Sequence, residues 1–537
     1  MKRLIVLFSA ISLLSFASKA QDQGILSGDL QTNAGFYNYD SKIKTTTTQY
    51  LHQLSSAESW LLLNYRYNGY TITGRYDLYS NSPLLNPQEA YTAQGLGFYS
   101  ITKDFDKFSI TAGSFYDQIG SGIIFRAFEE RTIGLDYAVQ GGRFRWAPND
   151  SFMFKAFAGV QKYRFDVRSS TIKGANAEKV WGWPKFSFVT GTGIMNRTLD
   201  QATINQLTDQ INALPIQQRV GFDPKYNVYA YTFYNTLRAG EFTLYSEYAG
   251  KTKEATFIDT TSAGSGQMAL RNKAGDVLYG ILNYSHPGIG ITLQYKKINS
   301  FILRSSPYDQ LLVGEIDFLP PLSKQQAFRL PARYSISARE QGEEGFQGEV
   351  TYSISEHSTF DLNIAHITMP DNGKEIYREY YLDLNQKISK RVKTISGVQF
   401  IIYDQQVYQG TANAPVVHAF TPFTEWTFKI DNAMRKSIRF EAQYLFTKQD
   451  LGDFAYGLVE FNWAPRYSFS ASDMVNTKPT KGNEIVHYPT LFGVYTYKQT
   501  RFTGGYIKQV QGVVCTGGVC RVEPAFSGFK VGMVTNF

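Results

Sequence analysis

The chain has 537 residues, 54 lysines and arginines against 46 aspartates and glutamates, a formal net charge of +8 and two cysteines. It carries 37 Tyr, 39 Phe and 45 Gly, yet its mean hydropathy is −0.28. Charge dispersed in this way excludes a dedicated nucleic-acid partner, and no run of about 18 apolar residues follows the first twenty, which excludes ordinary membrane-spanning helices.

Lys2 and Arg3 precede an apolar stretch from Leu4 to Phe16, and Ser18-Lys19-Ala20 follows it. That is the order of a cleaved secretory signal peptide over residues 1–20, with the mature chain starting near Gln21. The first mature segment then alternates. Leu26, Leu30, Ala34 and Phe36 share one parity, and Ser27, Asp29, Gln31 and Asn33 the other. Period-2 alternation of this kind reconciles a polar mean with membrane residence, because a barrel strand shows apolar residues to lipid and polar ones to its lumen.

The same unit recurs at tight turns. Asn68-Gly69 is a strong hairpin signal, and Tyr70, Ile72, Tyr76 and Leu78 beyond it alternate with Thr71, Thr73, Arg75 and Asp77. Phe152, Phe154 and Ala156 follow Ala147-Pro148-Asn149-Asp150, and Phe242 and Leu244 follow Ala239-Gly240. Ile291 and Leu293 follow His286-Pro287-Gly288, and Phe360 and Leu362 follow Glu356-His357-Ser358. Ile438, Phe440 and Ala442 follow Arg435-Lys436, with Arg439, Glu441 and Gln443 facing inward. Longer connections are expected around 165–226, 252–275 and 301–344. Short turns at one rim and long loops at the other describe an all-β transmembrane antiparallel barrel over residues 21–537, with periplasmic turns, extracellular loops and about 22 strands, in a range of about 18–22. Strand pattern begins at Gly24, which leaves no room for a globular plug ahead of the barrel and disfavours a TonB-dependent transporter.

Within 199–219, Ile204, Leu207, Ile211 and Leu214 keep helical spacing, so a short amphipathic helix is expected in a long loop. It is read as packed on the rim rather than as a gate. Near the end, Phe529, Val531, Met533, Thr535 and Phe537 have one parity and the chain stops on an aromatic. Phe529, Val531, Met533 and Phe537 therefore form a candidate assembly signal, in which the barrel-assembly machinery captures the last strand as an edge.

The densest polar stretch runs from Gly113 to Gly142. If it folds into the lumen, Arg126, Glu129, Glu130, Arg131 and Asp136 are candidates for a constriction that sets selectivity; an ion-paired loop that stabilises the rim is the alternative. A paired-carboxylate hydrolase reading of Glu129 and Glu130 is weaker, since neighbours on a strand point to opposite faces. Cys515 and Cys520 flank Gly517-Gly518 in the last long connection and suit a disulfide that closes a small loop in an exported protein. No metal site is expected there, with no histidine nearby. The six histidines are scattered and no Ser, His and acid arrangement stands out, so no catalytic residue, enzyme activity or cofactor is expected.

Three segments, Gly113 to Gly122, Arg126 to Arg131 and Val514 to Arg521, resemble a family of uncharacterised outer-membrane β-barrels of Bacteroidota, catalogued as a domain of unknown function. The resemblance extends over nearly all of the mature chain. It implies a multi-pass barrel in the outer membrane of a Gram-negative cell, in contact with lipid and lipopolysaccharide, and brings no activity. Two functions stay open: a passive pore or ligand-conducting channel, and a structural or assembly subunit that binds outer-membrane lipoproteins or other barrels.

Overall fold

The computed structural model describes residues 24–43, 45, 47, 49–87, 89–259, 268–310, 312–480, 482, 484–516 and 519–537. The expected signal peptide, residues 1–20, lies outside the described residues. A single 24-stranded antiparallel sheet closes on itself. Closure is made at the first strand, Ile25–Tyr37, which pairs with Ser55–Tyr67 on one side and with the last strand, Phe526–Asn536, on the other. The ladder runs on to Phe537, whose amide donates to the Gly28 carbonyl at 3.0 Å and whose backbone oxygen accepts from the Gly28 amide at 2.9 Å. Among the described residues no helix is long and apolar enough to cross a membrane.

Local sequence explains the hairpins. Asn68 and Gly69 hold φ of 46° and 73°, the left-handed pair that a two-residue turn needs to match strand twist. On the strand that follows, Tyr70–Ser82, Tyr70 and Ile72 are 46% and 45% exposed on the outside, while Arg75 and Asp77 are 2% and 1% exposed inside. The apolar parity faces outward. That inversion of a soluble protein is what a lipid solvent selects. Exposed Tyr67, Trp146, Trp183, Phe186, Trp463 and Tyr497 ring the short-turn rim, and exposed Tyr231, Tyr295, Phe346, Tyr380 and Phe420 lie towards the other, the aromatic girdles of a membrane-embedded belt.

The count of 24 exceeds the expected 22 because 165–226 is not one long connection. It contains the strands Asp166–Trp183 and Phe186–Thr198. Ser169, Thr171, Lys173, Ala175 and Ala177 occupy the outward parity of the first of these, so apolar alternation is nearly absent there. The expected loop at 252–275 is likewise mostly ladder, with strands Phe242–Asp259 and Met268–His286 of 18 and 19 residues. The remaining long connections gather at one rim. In that rim the helix Gln201–Ala213 stands where its spacing predicts, capped by Asp200, whose side chain accepts the Thr203 amide at 3.0 Å. It buries Leu207 and Ile211 against Ala255, Phe222 and Leu270.

Candidate functional site

Two connections from the long-loop rim turn inward and fill the lumen. The first, residues 116–138, joins Phe108–Phe115 to Val139–Asn149. Its Ile119, Ile123, Ile124 and Phe125 are fully buried and pack with inward residues of the wall, among them Phe157, Met195 and Tyr234. Close approach to the wall needs glycine at Gly120, with φ 58°: a Cβ there would meet the Glu247 carboxylate at 2.6 Å. Glu247 Oε2 instead accepts the Ser121 amide at 3.0 Å.

The second connection, residues 300–341, joins Ile289–Asn299 to Gly342–Ser355. It hydrogen-bonds the first through backbone: the Arg126 amide donates to the Ile316 carbonyl at 2.8 Å, and the Phe318 amide to the Gly122 carbonyl at 3.0 Å. Farther along, Leu322, Leu330, Tyr334 and Ile336 join a second apolar cluster with Ile367, Tyr403 and Phe454 of the opposite wall. Polar ties fasten it as well. The Leu330 amide donates to Gln443 Oε1 at 2.7 Å, and Arg333 pairs with Asp450 at 2.8 Å. Buried polar backbone in these connections therefore finds partners in the other connection or the wall.

Of the residues singled out in sequence, three converge. Glu129 and Asp136 both bond the guanidinium of Arg75 from the wall, at 2.5 and 2.8 Å, and Arg131 bonds Glu129 at 3.0 Å and Asp29 at 3.4 Å. Arg75 also forks onto its neighbour Asp77 at 2.7 and 2.9 Å, and Lys162 reaches Asp136 at 2.5 Å. Arg126 stands apart, its guanidinium 4.6 Å from the Phe128 ring centre and 4.0 Å from that of Phe318, a cation held between aromatic faces. Glu130 caps the turn Arg131–Ile133 by accepting from the Thr132 amide at 3.2 Å and hydroxyl at 2.6 Å. The wall partners Arg75, Asp77 and Lys162 were not singled out as a site. Their signal was charge on the inward parity of a strand, visible at Arg75 and Asp77. Cys515 stands directly opposite Cys520 across the hairpin of Gly512–Thr516 and Val519–Glu523. From that hairpin Arg521 donates to the Ile133 carbonyl at 2.7 Å and to that of Leu84, which ties it to the first connection.

Above the plug a cleft of about 880 Å³ opens at the long-loop rim. The ionic cluster of Arg75, Glu129, Arg131 and Asp136 lines one side, and Arg304, Glu315, Asp317 and Glu340 line the floor contributed by the second connection. Burial, with Glu340 beside them, pushes both the Glu315 and Asp317 carboxyls above the usual carboxylate range. A closed barrel with an apolar outer belt and a lumen filled by its own connections is a transmembrane β-barrel with an internal plug.

The chain belongs to a family of unknown function (DUF6029), whose model matches residues 1–537. No curated protein matches it. Among solved structures it is similar to the translocation pore of the P pilus usher PapC, with 9% identity, a TM-score of 0.47, and 95% of this chain and 99% of that one covered. It is also similar to two receptors of Pseudomonas aeruginosa. The siderophore receptor PirA has 8% identity and a TM-score of 0.42, and the ferric enterobactin receptor PfeA, as a mutant, 11% and 0.40; each pairing covers 97% of this chain and 81% of the other. No functional assignment follows from likeness at this level.

Proposed function

We propose that the protein is an outer-membrane barrel that conducts a ligand through a lumen gated by the connections 116–138 and 300–341. A permanently open pore is disfavoured by two apolar clusters that join these connections to the wall. One observation carries the gating reading: the first connection is fastened to the wall by side-chain ion pairs around Arg75, which can break without disturbing a single ladder bond. An outer-membrane setting agrees with the apolar outer belt, the aromatic rims and the closed sheet, which leaves no edge in lipid.

Excision tests the proposal. Phe115 and Val139 are direct partners, so residues 116–138 can be replaced by an Asn-Gly turn without altering the ladder. In planar bilayers the wild-type protein should be closed for most of the recording, and the excised variant should show steady conductance at least an order of magnitude larger. A variant that stays silent would reject gating and favour a structural subunit.

A further inference from the structure

The floor of the cleft brings three carboxyl groups, Glu315, Asp317 and Glu340, against the single guanidinium of Arg304. Arg304 is committed to Glu340, which it grips through two bonds of 2.7 Å. Glu315 accepts a bond from the Tyr137 hydroxyl at 3.4 Å. Asp317, 3% exposed, has an Oδ1 with no hydrogen-bond partner, and the Tyr408 hydroxyl, also lining the cleft, is buried without one. A buried carboxylate oxygen left without a donor is costly, and a bound group that supplies the donor removes that cost. The basic residues of the mouth do not supply it. Arg164 is paired with Glu89 at 2.7 Å, Arg168 with Asp309 at 2.8 Å, and Arg339 donates to Gln341 at 3.0 Å and to the Gly342 carbonyl at 3.1 Å.

We propose that the cleft binds an organic cation through a primary ammonium group seated between Asp317 and Glu315. The volume of about 880 Å³ falls within the range of small-ligand sites, and the ring of Tyr137 lines the same space as an aromatic surface suited to a cation or its alkyl chain. An ammonium group offers three donors and a full charge, enough to serve the unpartnered Asp317 Oδ1 and to reach Glu315 as well. Among the described residues no three Asp, Glu, His or Cys side chains converge as metal ligands do, so the occupant assigned is organic. The anion alternative is weaker, because the guanidinium groups named above are already spent on partners. Resting on the gating reading, the proposal makes the cation the solute that the barrel conducts.

Spermidine is the probe. Titration calorimetry of the full chain in a zwitterionic detergent at pH 8 and moderate salt should show saturable binding to one site. Asp317→Asn, nearly isosteric, should weaken it at least tenfold, and Glu315→Gln several-fold. Asp473→Asn, which removes an outward-facing acid on a distant strand, should leave it unchanged. Binding should also weaken as pH falls, because protons compete for carboxyls whose affinity for them is raised. If Asp317→Asn fails to fold, as judged by loss of heat-modifiable migration, Glu315→Gln carries the test. Absence of saturable binding, or equal binding by wild type and both floor variants, overturns the site; equal losses in all three variants show general charge attraction and overturn it too. Conductance of the excised barrel is read separately, so a failed cation site leaves the gate standing and a failed gate leaves the binding result standing.

Discussion

Replacing Arg75 by alanine is expected to release the first connection from the wall and convert a mostly closed channel into one that opens readily. The substitution leaves Asp77, Glu129 and Asp136 without the guanidinium they share, and the bases that remain in the cluster are Lys162, on Asp136, and Arg131, on Glu129. Breaking a buried ion pair from one side costs about 3–5 kcal/mol, because the surviving charges stay desolvated. Moving the connection out to solvent relieves that cost, so the open-to-closed ratio should rise by roughly 10²-fold or more, at about 1.4 kcal/mol per factor of ten. The ladder between Tyr70–Ser82 and its neighbours does not use this side chain, so heat-modifiable migration should persist. Unchanged open probability in a folded variant would show that the apolar contacts of Ile119 to Phe125 hold the plug unaided.

The second large effect separates the two faces of one strand. Leu293 points out from Ile289–Asn299 and pairs with Leu282 on the next strand, whereas its neighbour Thr292 points in and donates to Asn283 at 2.8 Å. A lysine at a lipid-facing position near the middle of the bilayer destabilises a barrel by about 2–4 kcal/mol, and a lumen-facing lysine is far better tolerated. Leu293→Lys should therefore lower the amount of assembled protein in the outer membrane severalfold and lower its unfolding midpoint in urea. Thr292→Lys should behave almost as wild type. Equal effects from both, or the reverse order, would contradict the assignment of the apolar parity to lipid.

Much of this wall is legible without coordinates. Inward Arg75 and Asp77, inward Arg439 and Glu441, the Asn68-Gly69 turn and the helix over Gln201–Ala213 all follow from local periodicity and turn chemistry. The strand Asp166–Trp183 does not, because its outward positions from Ser169 to Ala177 are small or polar and its pairing is decided by neighbouring strands. The plug was half visible. Arg126 to Asp136 read as a polar loop that could fold inward, yet the apolar run Ile123-Ile124-Phe125 beside it was the stronger sign, since a solvated loop has no reason to carry it. What no local pattern contains is the partner. Arg75 lies more than fifty residues before Glu129, and Ile316 far beyond Arg126, so their meeting depends on barrel closure, which brings distant strands to one lumen.

The internal plug is tested most directly by a cross-link made in the membrane. Ile119 of the first connection touches the wall at Gly193, where an added Cβ would lie 2.3 Å from the Ile119 Cγ2. Cysteines placed at these two positions would have their Cβ atoms within reach of the roughly 3.5–4.5 Å that a disulfide spans. Ile119→Cys with Gly193→Cys should give a cross-linked species in unreduced outer-membrane fractions, identified by the linked peptides in mass spectrometry. Ile119→Cys with Ser472→Cys, on a strand across the barrel, should give none. A Cys pair at 119 and 193 that stays reduced in well-assembled protein, or a link to 472 instead, would contradict the plugged lumen.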